Sequence, residues 1–499
     1  MKRSPEPILS TTGPWLIAAG VSAVGAAAAW HYAALDLALS HWDARAHLVV
    51  ARRVFDSLTP GWQQIGAVWL PLPHVLNMIP VQVDAWYRTG ASGTALSVLS
   101  MAAGAGALAS MLLRVTGSLS AAVAAPLLLL ANPNVLYLQS TPMTEPMLFG
   151  TTLVALALTA RWVDDGGGST RAPGLALAAA CMTRYEAWPI AAVLITLAPV
   201  ALVRGGAPVS QSVRGGVRLA AWPAIAIVLF MLNSRWTTGA WFVSSGFFVA
   251  ENEALGDAGL AWTQVRDGLH RLSGRATVWP AYAAFVLMVA AFVRSRARAS
   301  LLLVLSLLAA GALPLYAYVQ GHPFRIRYSL PLVVACSVMA AAGVSLLPRG
   351  FRAAAAAALV VAALLQGSPL DRAAPMIVEA GRDARSMQAR GAVTRYLEWH
   401  YDGTQIMMSM GSLAHYMHDL SRAGFDLRTF LHEGNGELWI YARDFGPRGH
   451  VGWVVIDERG EGGDMLYQRA RDDPGFLEGF ERVAEGGGVA LYRFRVQGS

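Results

Sequence analysis

The chain has 499 residues, of which 55% are hydrophobic and only 14% charged, with a mean hydropathy of +0.42. This composition excludes a soluble globular protein and describes a polytopic membrane protein. The net charge of +7 reflects basic loops lying against an anionic leaflet, so nucleic acid is not expected as a partner. Cys181 and Cys336 both sit inside apolar runs, which argues against a disulfide framework.

In chain order, the opening "MKRSPEPILSTTG" is basic and polar, and the apolar run behind it continues to about Leu39 without a small-residue cleavage site. It reads as an uncleaved first span. Apolar runs of roughly 17–25 residues can cross a bilayer as helices. They fall at about 14–36, 93–113, 119–138, 146–162, 173–186, 187–203, 217–235, 277–293, 299–319, 329–347 and 353–368. The expected fold is therefore mostly α, with about eleven transmembrane helices. Only "RYEAWP" separates the fifth run from the sixth, where charge followed by Pro189 favours a tight reversal.

Short connections rich in Lys and Arg stay on the cytoplasmic side. "MKR", the turn at Arg114, "RWVDDGGGSTRA", "RGGAPVSQSVRGGVR", "RSRAR" and "PRGFR" all fall on one side of this count, which places the N-terminus inside. An odd number of spans then puts the tail outside. The tail holds more than half of the Asp and Glu residues and mixes helix-like stretches ("ARSMQARGAVTRYLEWHY", "SLAHYMHDLSRAG") with strand-like ones ("VGWVVID", "VALYRFRV"). The expected division is a transmembrane domain over 1–370 and an extracytoplasmic α/β domain over 371–499.

The candidate functional residues gather on the outer side. Asp43 stands where the first span ends and a loop of about fifty residues begins. In that loop Ala44, His47, Leu48, Ala51, Phe55 and Leu58 share one helical face, and Arg45, Arg52 and Asp56 another. That pattern is a helix lying in the membrane interface. "VWLPLPHVLNMIPVQVDAWY", broken by Pro71, Pro73 and Pro80, is a second interfacial segment. The structural reading of Asp43 is the N-cap of the first interfacial helix. On the same side lie Glu145 in "LQSTPMTEPM", Arg184 and Glu186 in "TRYEAW", and Arg325, Arg327 and Tyr328 in "GHPFRIRYSLP". Carboxylates and guanidinium groups at one lipid–water boundary suit an acceptor hydroxyl and a lipid-linked phosphate. Arg184 with Glu186 also reads as an ion pair sealing a helix reversal, and Arg327 as a snorkelling anchor.

These features resemble the GT-C superfamily of polytopic glycosyltransferases, which includes protein O-mannosyltransferases, aminoarabinose transferases of lipid A and RgtA/B/C/D-like enzymes. The resemblance rests on "HWDARAH" after the first span, two interfacial segments in the first external loop, "TPMTEP" before a later span, and "IRYSLP" opening a late one. It covers about residues 10–350. It implies an inverting transfer of a sugar from a polyprenyl-phosphate donor to a hydroxyl of an envelope acceptor, which can be a lipid, a polysaccharide or a protein. In that chemistry Asp43 is the general base, Glu145 orients the acceptor or sugar, and Arg327, with Arg184 or Arg325, neutralises the departing phosphate. No cofactor and no obligatory metal are expected, because paired arginines suffice for a single phosphate. The partners are the lipid-linked sugar, the hydroxyl-bearing acceptor and the surrounding membrane lipid. The chain departs from relatives that carry a Lys before Pro-Pro-Leu. Here "VWLPLPH" has Trp69 and Leu70, which leaves His74 as the candidate for that phosphate contact.

Two other classes compete: a transporter or flippase of lipid-linked sugars, and a non-catalytic scaffold of envelope assembly. Transporters place ionisable groups near the bilayer midplane and carry internal repeats. Here the ionisable groups lie at the outer boundary and no repeat is visible. In the tail, His432, Glu433, Asn435 and Trp439 surround a Gly-rich turn; they read either as a solvated loop joining two strands or as groups suited to sugar hydroxyls and ring faces, in which case the tail helps to select the acceptor. The topology is tested by cysteine labelling of intact cells. A cysteine at Gly460 is expected to react with an impermeant reagent and one at Gly167 to stay unlabelled, whereas the reverse pattern overturns the orientation.

Overall fold

An apolar stretch removed from water must satisfy its backbone groups internally, and this chain does so with helices. The computed structural model describes residues 12–243, 253–460 and 463–495; "MKR" lies outside the described residues. Among them, nine helices are long and apolar enough to cross a membrane: Gly13–Ala34, Ala91–Thr116, Glu145–Asp164, Ala187–Arg204, Val209–Thr238, Arg275–Arg294, Arg298–Val319, Ile326–Val344 and Arg349–Gln366. The other two expected runs form shorter helices. Leu119–Ala131 ends where Asn132 adopts an extended conformation, and the Asn132 side chain caps Pro133–Leu138 by accepting from the N–H groups of Asn134 and Val135. Arg171–Cys181 ends at Met182, a few residues before Ala187–Arg204 begins.

The chain forms two compact units, one of Met1–Ala34, Thr94–Asn233 and Ala250–Val378, the other of Leu35–Gly93, Ser234–Val249 and Glu379–Ser499. The first is helical and holds the long apolar helices. Two of these cross on glycine: a Cβ on Gly104 would come within 2.7 Å of the Gly150 Cα, and one on Gly150 within 2.1 Å of the Ser100 carbonyl oxygen. Backbone contact this close requires glycine at the crossing. It locks the Glu145–Asp164 helix in place, and Glu145 is the first residue of that helix.

The second unit joins stretches distant in sequence: the tail clusters with the first long loop. Its centre is a five-stranded sheet of β1 (Ile406–Met408), β2 (Phe430–Leu431), β3 (Trp453–Asp457), β4 (Phe480–Gly486) and β5 (Val489–Phe494), in the order β2-β1-β3-β5-β4. β1 runs parallel to β2 and β3, while β5 is antiparallel to both β3 and β4. Period-two alternation divides the side chains between two cores. Ile406, Met408, Trp453 and Val455 face one core, and Met407, Val454 and Ile456 the other. The first core also takes Leu48, Val49, Val81 and Tyr87 from the first loop. The Trp42–Arg52 helix is consequently buried from Ala44 to Arg52. The tail helix Met410–Arg422 packs against it, and Arg45 pairs there with Asp419.

Among the described residues the second unit buries six histidines, His74, His415, His418 and His432 among them. His418, whose Nε2 lies 3.0 Å from the Tyr87 carbonyl oxygen, is pushed down to about 3, chiefly by burial. Burial also holds His415 and His432 well below the usual histidine range, with Arg390 and Arg53 respectively adding to the effect. His74 is likewise lowered to about 3. Between about pH 6.5 and 3 the unfolded chain binds protons that these rings refuse, so their stability contribution is present above 6.5 and is lost as pH falls. Each can remove up to about 1.4 kcal/mol per pH unit. The Tm of this unit, followed by hydrogen exchange at β3, is expected to be several degrees lower at pH 5.5 than at pH 7.5. Equal values contradict the buried neutral histidines.

Candidate functional site

The candidate residues fall into two groups, one in each unit. In the helical unit, Asn132 and Pro133 restart the chain as a short helix, and a 3.1 Å hydrogen bond from Ser97 Oγ to the Met143 carbonyl oxygen fixes the connection that follows. Thr144 stands at the N-cap position of the next helix without a side-chain capping bond, and Pro146 stands in its first turn, where a missing N–H costs nothing. Glu145 is thereby placed at a helix N-terminus, which favours a carboxylate.

Arg184 lies in the reversal between Arg171–Cys181 and Ala187–Arg204 and bridges two carboxylates. Its Nη1 is 3.1 Å from Glu145 Oε1. Its Nη2 donates to Glu186 Oε1 at 2.8 Å, its Nε to the same oxygen at 3.1 Å, and its Nη1 to Thr144 Oγ1 at 3.0 Å. Burial alone would lower the Arg184 pKa; the Glu145 and Glu186 charges outweigh that and raise it, while Arg327 opposes them. Glu145, Arg184, Glu186 and Arg327 are thus brought into one electrostatic cluster, and the expected ion pair at the helix reversal is present with a second carboxylate added. The two acids differ. Glu186 accepts hydrogen bonds from Arg184, whereas the Glu145 contact lacks hydrogen-bond geometry. Both oxygens of Glu145, a residue 1% exposed, accept none among the described residues. Gln139 lies six residues earlier and was not singled out by charge or spacing; it is fully buried, and neither of its amide atoms has a hydrogen-bond partner among the described residues.

Arg327 and Tyr328 lie on a 3-10 turn, Ile326–Ser329, that opens the Leu330–Val344 helix, and the extended Arg325 precedes it as the N-cap residue. Tyr318 Oη donates to the Arg325 carbonyl oxygen at 2.7 Å and accepts from its N–H at 3.3 Å. The Arg327 guanidinium lies 5.8 Å from the Tyr328 ring centroid, within reach of a cation–π attraction. An apolar cavity of about 420 Å³ in the same unit is lined by Trp262, Val265, Leu269, Phe285, Leu315 and Met339, with Arg266 among its walls.

In the second unit Asp43 is half-buried and occupies the second position of the Trp42–Arg52 helix. The N-cap is His41, which makes no side-chain cap, so Asp43 is a first-turn acid rather than the cap. His74 is a correction. It is 1% exposed, its Nε2 lies 3.0 Å from His47 Nδ1, and Trp69 packs beside both rings. Burial, reinforced by Arg53 and partly offset by a hydrogen bond to the Leu70 backbone, keeps it neutral. An imidazole so enclosed and uncharged cannot replace a lysine at a phosphate. Trp439 is also corrected: it is 2% exposed and packs with Leu431 and Val454, so its ring face is not open to a sugar. His432 and Asn435 are buried in a capped turn whose Asn435 Nδ2 donates to Ser57 Oγ and Thr59 Oγ1. Sequence spacing gives no warning that this turn is an internal joint. Among the described residues no group of three or more His, Cys, Asp and Glu side chains is arranged to hold a metal.

No family model matches the chain, and no curated protein matches it in sequence. Solved structures match it in fold. The crystal structure of ArnT from Cupriavidus metallidurans bound to undecaprenyl phosphate superposes with a TM-score of 0.60 at 13% identity, covering 98% of this chain and 99% of that one. The same protein in the apo state gives 0.54 at 12% identity, covering 90% and 92%. The chain therefore has the fold of ArnT, a GT-C aminoarabinose transferase, in agreement with the resemblance carried by its motifs.

Breaking a buried pair leaves an uncompensated charge, at a cost of about 3–5 kcal/mol. Arg184→Met is expected to destabilise the detergent-solubilised protein by that margin, read as a fall of several degrees in Tm. Adding Glu145→Gln and Glu186→Gln should recover most of it, and a triple variant no more stable than the single one contradicts the buried-charge account.

Proposed function

We propose that the protein is an inverting glycosyltransferase that moves a sugar from a polyprenyl-phosphate donor to a hydroxyl of an envelope acceptor at the outer face of the membrane. The observation that carries this reading is Glu145, a buried carboxylate paired with Arg184, neither of whose oxygens accepts a hydrogen bond among the described residues. Such a group is suited to sugar or acceptor hydroxyls. The likeness in fold extends along 98% of the chain to a protein whose structure contains undecaprenyl phosphate, and this supports the choice of donor. Fold alone does not establish chemistry.

In the proposed step Asp43 removes the proton of the acceptor hydroxyl as its oxygen attacks the anomeric carbon. The bond from that carbon to the phosphate oxygen breaks, and the polyprenyl phosphate leaves with the electron pair. Arg327, with Arg325 two residues before it, balances the charge that grows on the phosphate. Tyr328 holds the Arg327 guanidinium through its ring. Arg184 donates hydrogen bonds to Glu186 and Thr144 and shares its charge with Glu145, so its part is to organise the carboxylates. The apolar cavity beside Arg266 accommodates part of the isoprenoid chain. Since two arginines supply the positive charge a monophosphate needs, the proposal includes no obligatory metal. His74 has no part in it.

General-base catalysis is worth about 10²–10⁴-fold. Asp43→Asn is expected to reduce transfer from a polyprenyl-phosphate sugar by that factor in a purified assay while leaving expression and donor binding intact. Glu145→Gln should also be severe. Full turnover by Asp43→Asn would show that the base is another group.

A further inference from the structure

The first turn of the Trp42–Arg52 helix has no cap of its own, since the His41 side chain makes no capping hydrogen bond. The tail supplies what is missing. The Trp42 backbone N–H donates to Asp383 Oδ2 at 3.2 Å, so a carboxylate 341 residues away serves as the cap. Two residues after Asp43, the fully buried Arg45 sends Nη1 to both carboxylate oxygens of Asp419, each at 2.7 Å, and turns Nη2 back to the Ser40 carbonyl oxygen at 3.2 Å. The Trp42 ring stacks on His415 at 4.7 Å with an interplanar angle of 9°. His415 and Asp419 stand one turn apart on the tail helix Met410–Arg422. The residue before Asp43 and the residue two after it are therefore both fastened to the tail.

We infer that Asp383 and Asp419 are positioning residues for Asp43: the tail holds the turn that carries the base, and so acts on turnover without touching substrate. The inference rests on the transferase reading above. Its logic is geometric. A first turn lacking its own cap frays easily, because its N–H groups find partners in water as readily as within the helix. A carboxylate acting as general base must be held within a fraction of an ångström of its target, and a misplacement of about 1 Å can cost about 10²-fold in rate. Nη1 engages both Asp419 oxygens while Nη2 is held by the Ser40 carbonyl, so the guanidinium is fixed at two ends, and charge-assisted bonds of this kind are the strong ones.

The test separates stability from positioning in the full-length protein. Replacing a buried ion pair with apolar side chains of similar volume is often neutral for stability, so Arg45→Met with Asp419→Leu removes the anchor while keeping the packing. Asp383→Ala removes the substitute cap and leaves the ion pair intact. In both variants Tm should stay within a few degrees of wild type, and hydrogen exchange at the amides of residues 42–45 should accelerate by about tenfold or more relative to the rest of the second unit. The kcat should fall by about 10–10²-fold with the donor KM unchanged. Variants with wild-type kcat and wild-type exchange overturn the inference while leaving the transferase reading in place. Accelerated exchange together with a wild type that transfers no sugar overturns the transferase reading, and the catalytic role of these residues with it.

Discussion

Burying a helix that carries Asp43, Arg45, His47 and Arg52 is the constraint on which the second unit depends. Each charge removed from water needs a counter-charge in good geometry, and losing one partner costs several kcal/mol. Arg45 finds Asp419 in the tail. Arg52 is gripped on two sides, by Asp56 at 3.1 Å and Asp84 at 2.6 Å. Asp56 in turn accepts from the backbone N–H groups of Leu427 and Arg428. The first loop thus supplies the tail with a carboxylate for its backbone, and the tail supplies the loop with a carboxylate for its arginine. Neither can bury its apolar face alone without leaving charges unpaired.

The helical unit applies the same rule and leaves one part of it unsatisfied. Arg184 joins two carboxylates, but only Glu186 uses its hydrogen-bonding capacity on the guanidinium. Glu145 is charge-balanced and hydrogen-bond-poor. Charge balance makes the buried acid tolerable although its oxygens accept no hydrogen bond among the described residues. The two acids therefore differ in hydrogen bonding though both sit on the same arginine.

The tail sheet invites comparison with nucleotide-binding folds, because β1 is parallel to the strands on either side of it. In such sheets the crevice at the carboxyl ends of the strands binds anions at a helix N-terminus. Here that place is filled from within. Glu433 accepts from Ser409 Oγ at 2.5 Å and from the N–H groups of Met410 and Gly411, and Asp464 accepts from the N–H groups of Leu466 and Tyr467. The backbone donors that would meet a phosphate already hold carboxylates of the chain itself, which fits a tail that braces the first loop.

Hydropathy and punctuation by proline and asparagine determined the long helices, because a helix of apolar residues is the local answer to a lipid environment wherever it occurs in the chain. The short apolar runs "WVVID" and "VALYRF" likewise determined β3 and β5. The charged residues worth attention were legible too, since an ionisable group beside an apolar span is costly and stands out. Sequence could not assign their partners. His74 and Trp439 are typical residues for a phosphate or a sugar site, and only three-dimensional packing reveals that both are enclosed. Arg45 reads as one residue of a polar helical face, and its fate was decided by Asp419, 374 residues away. Local sequence records what a residue is able to do; burial and partner, which depend on contacts between distant segments, decide what it does.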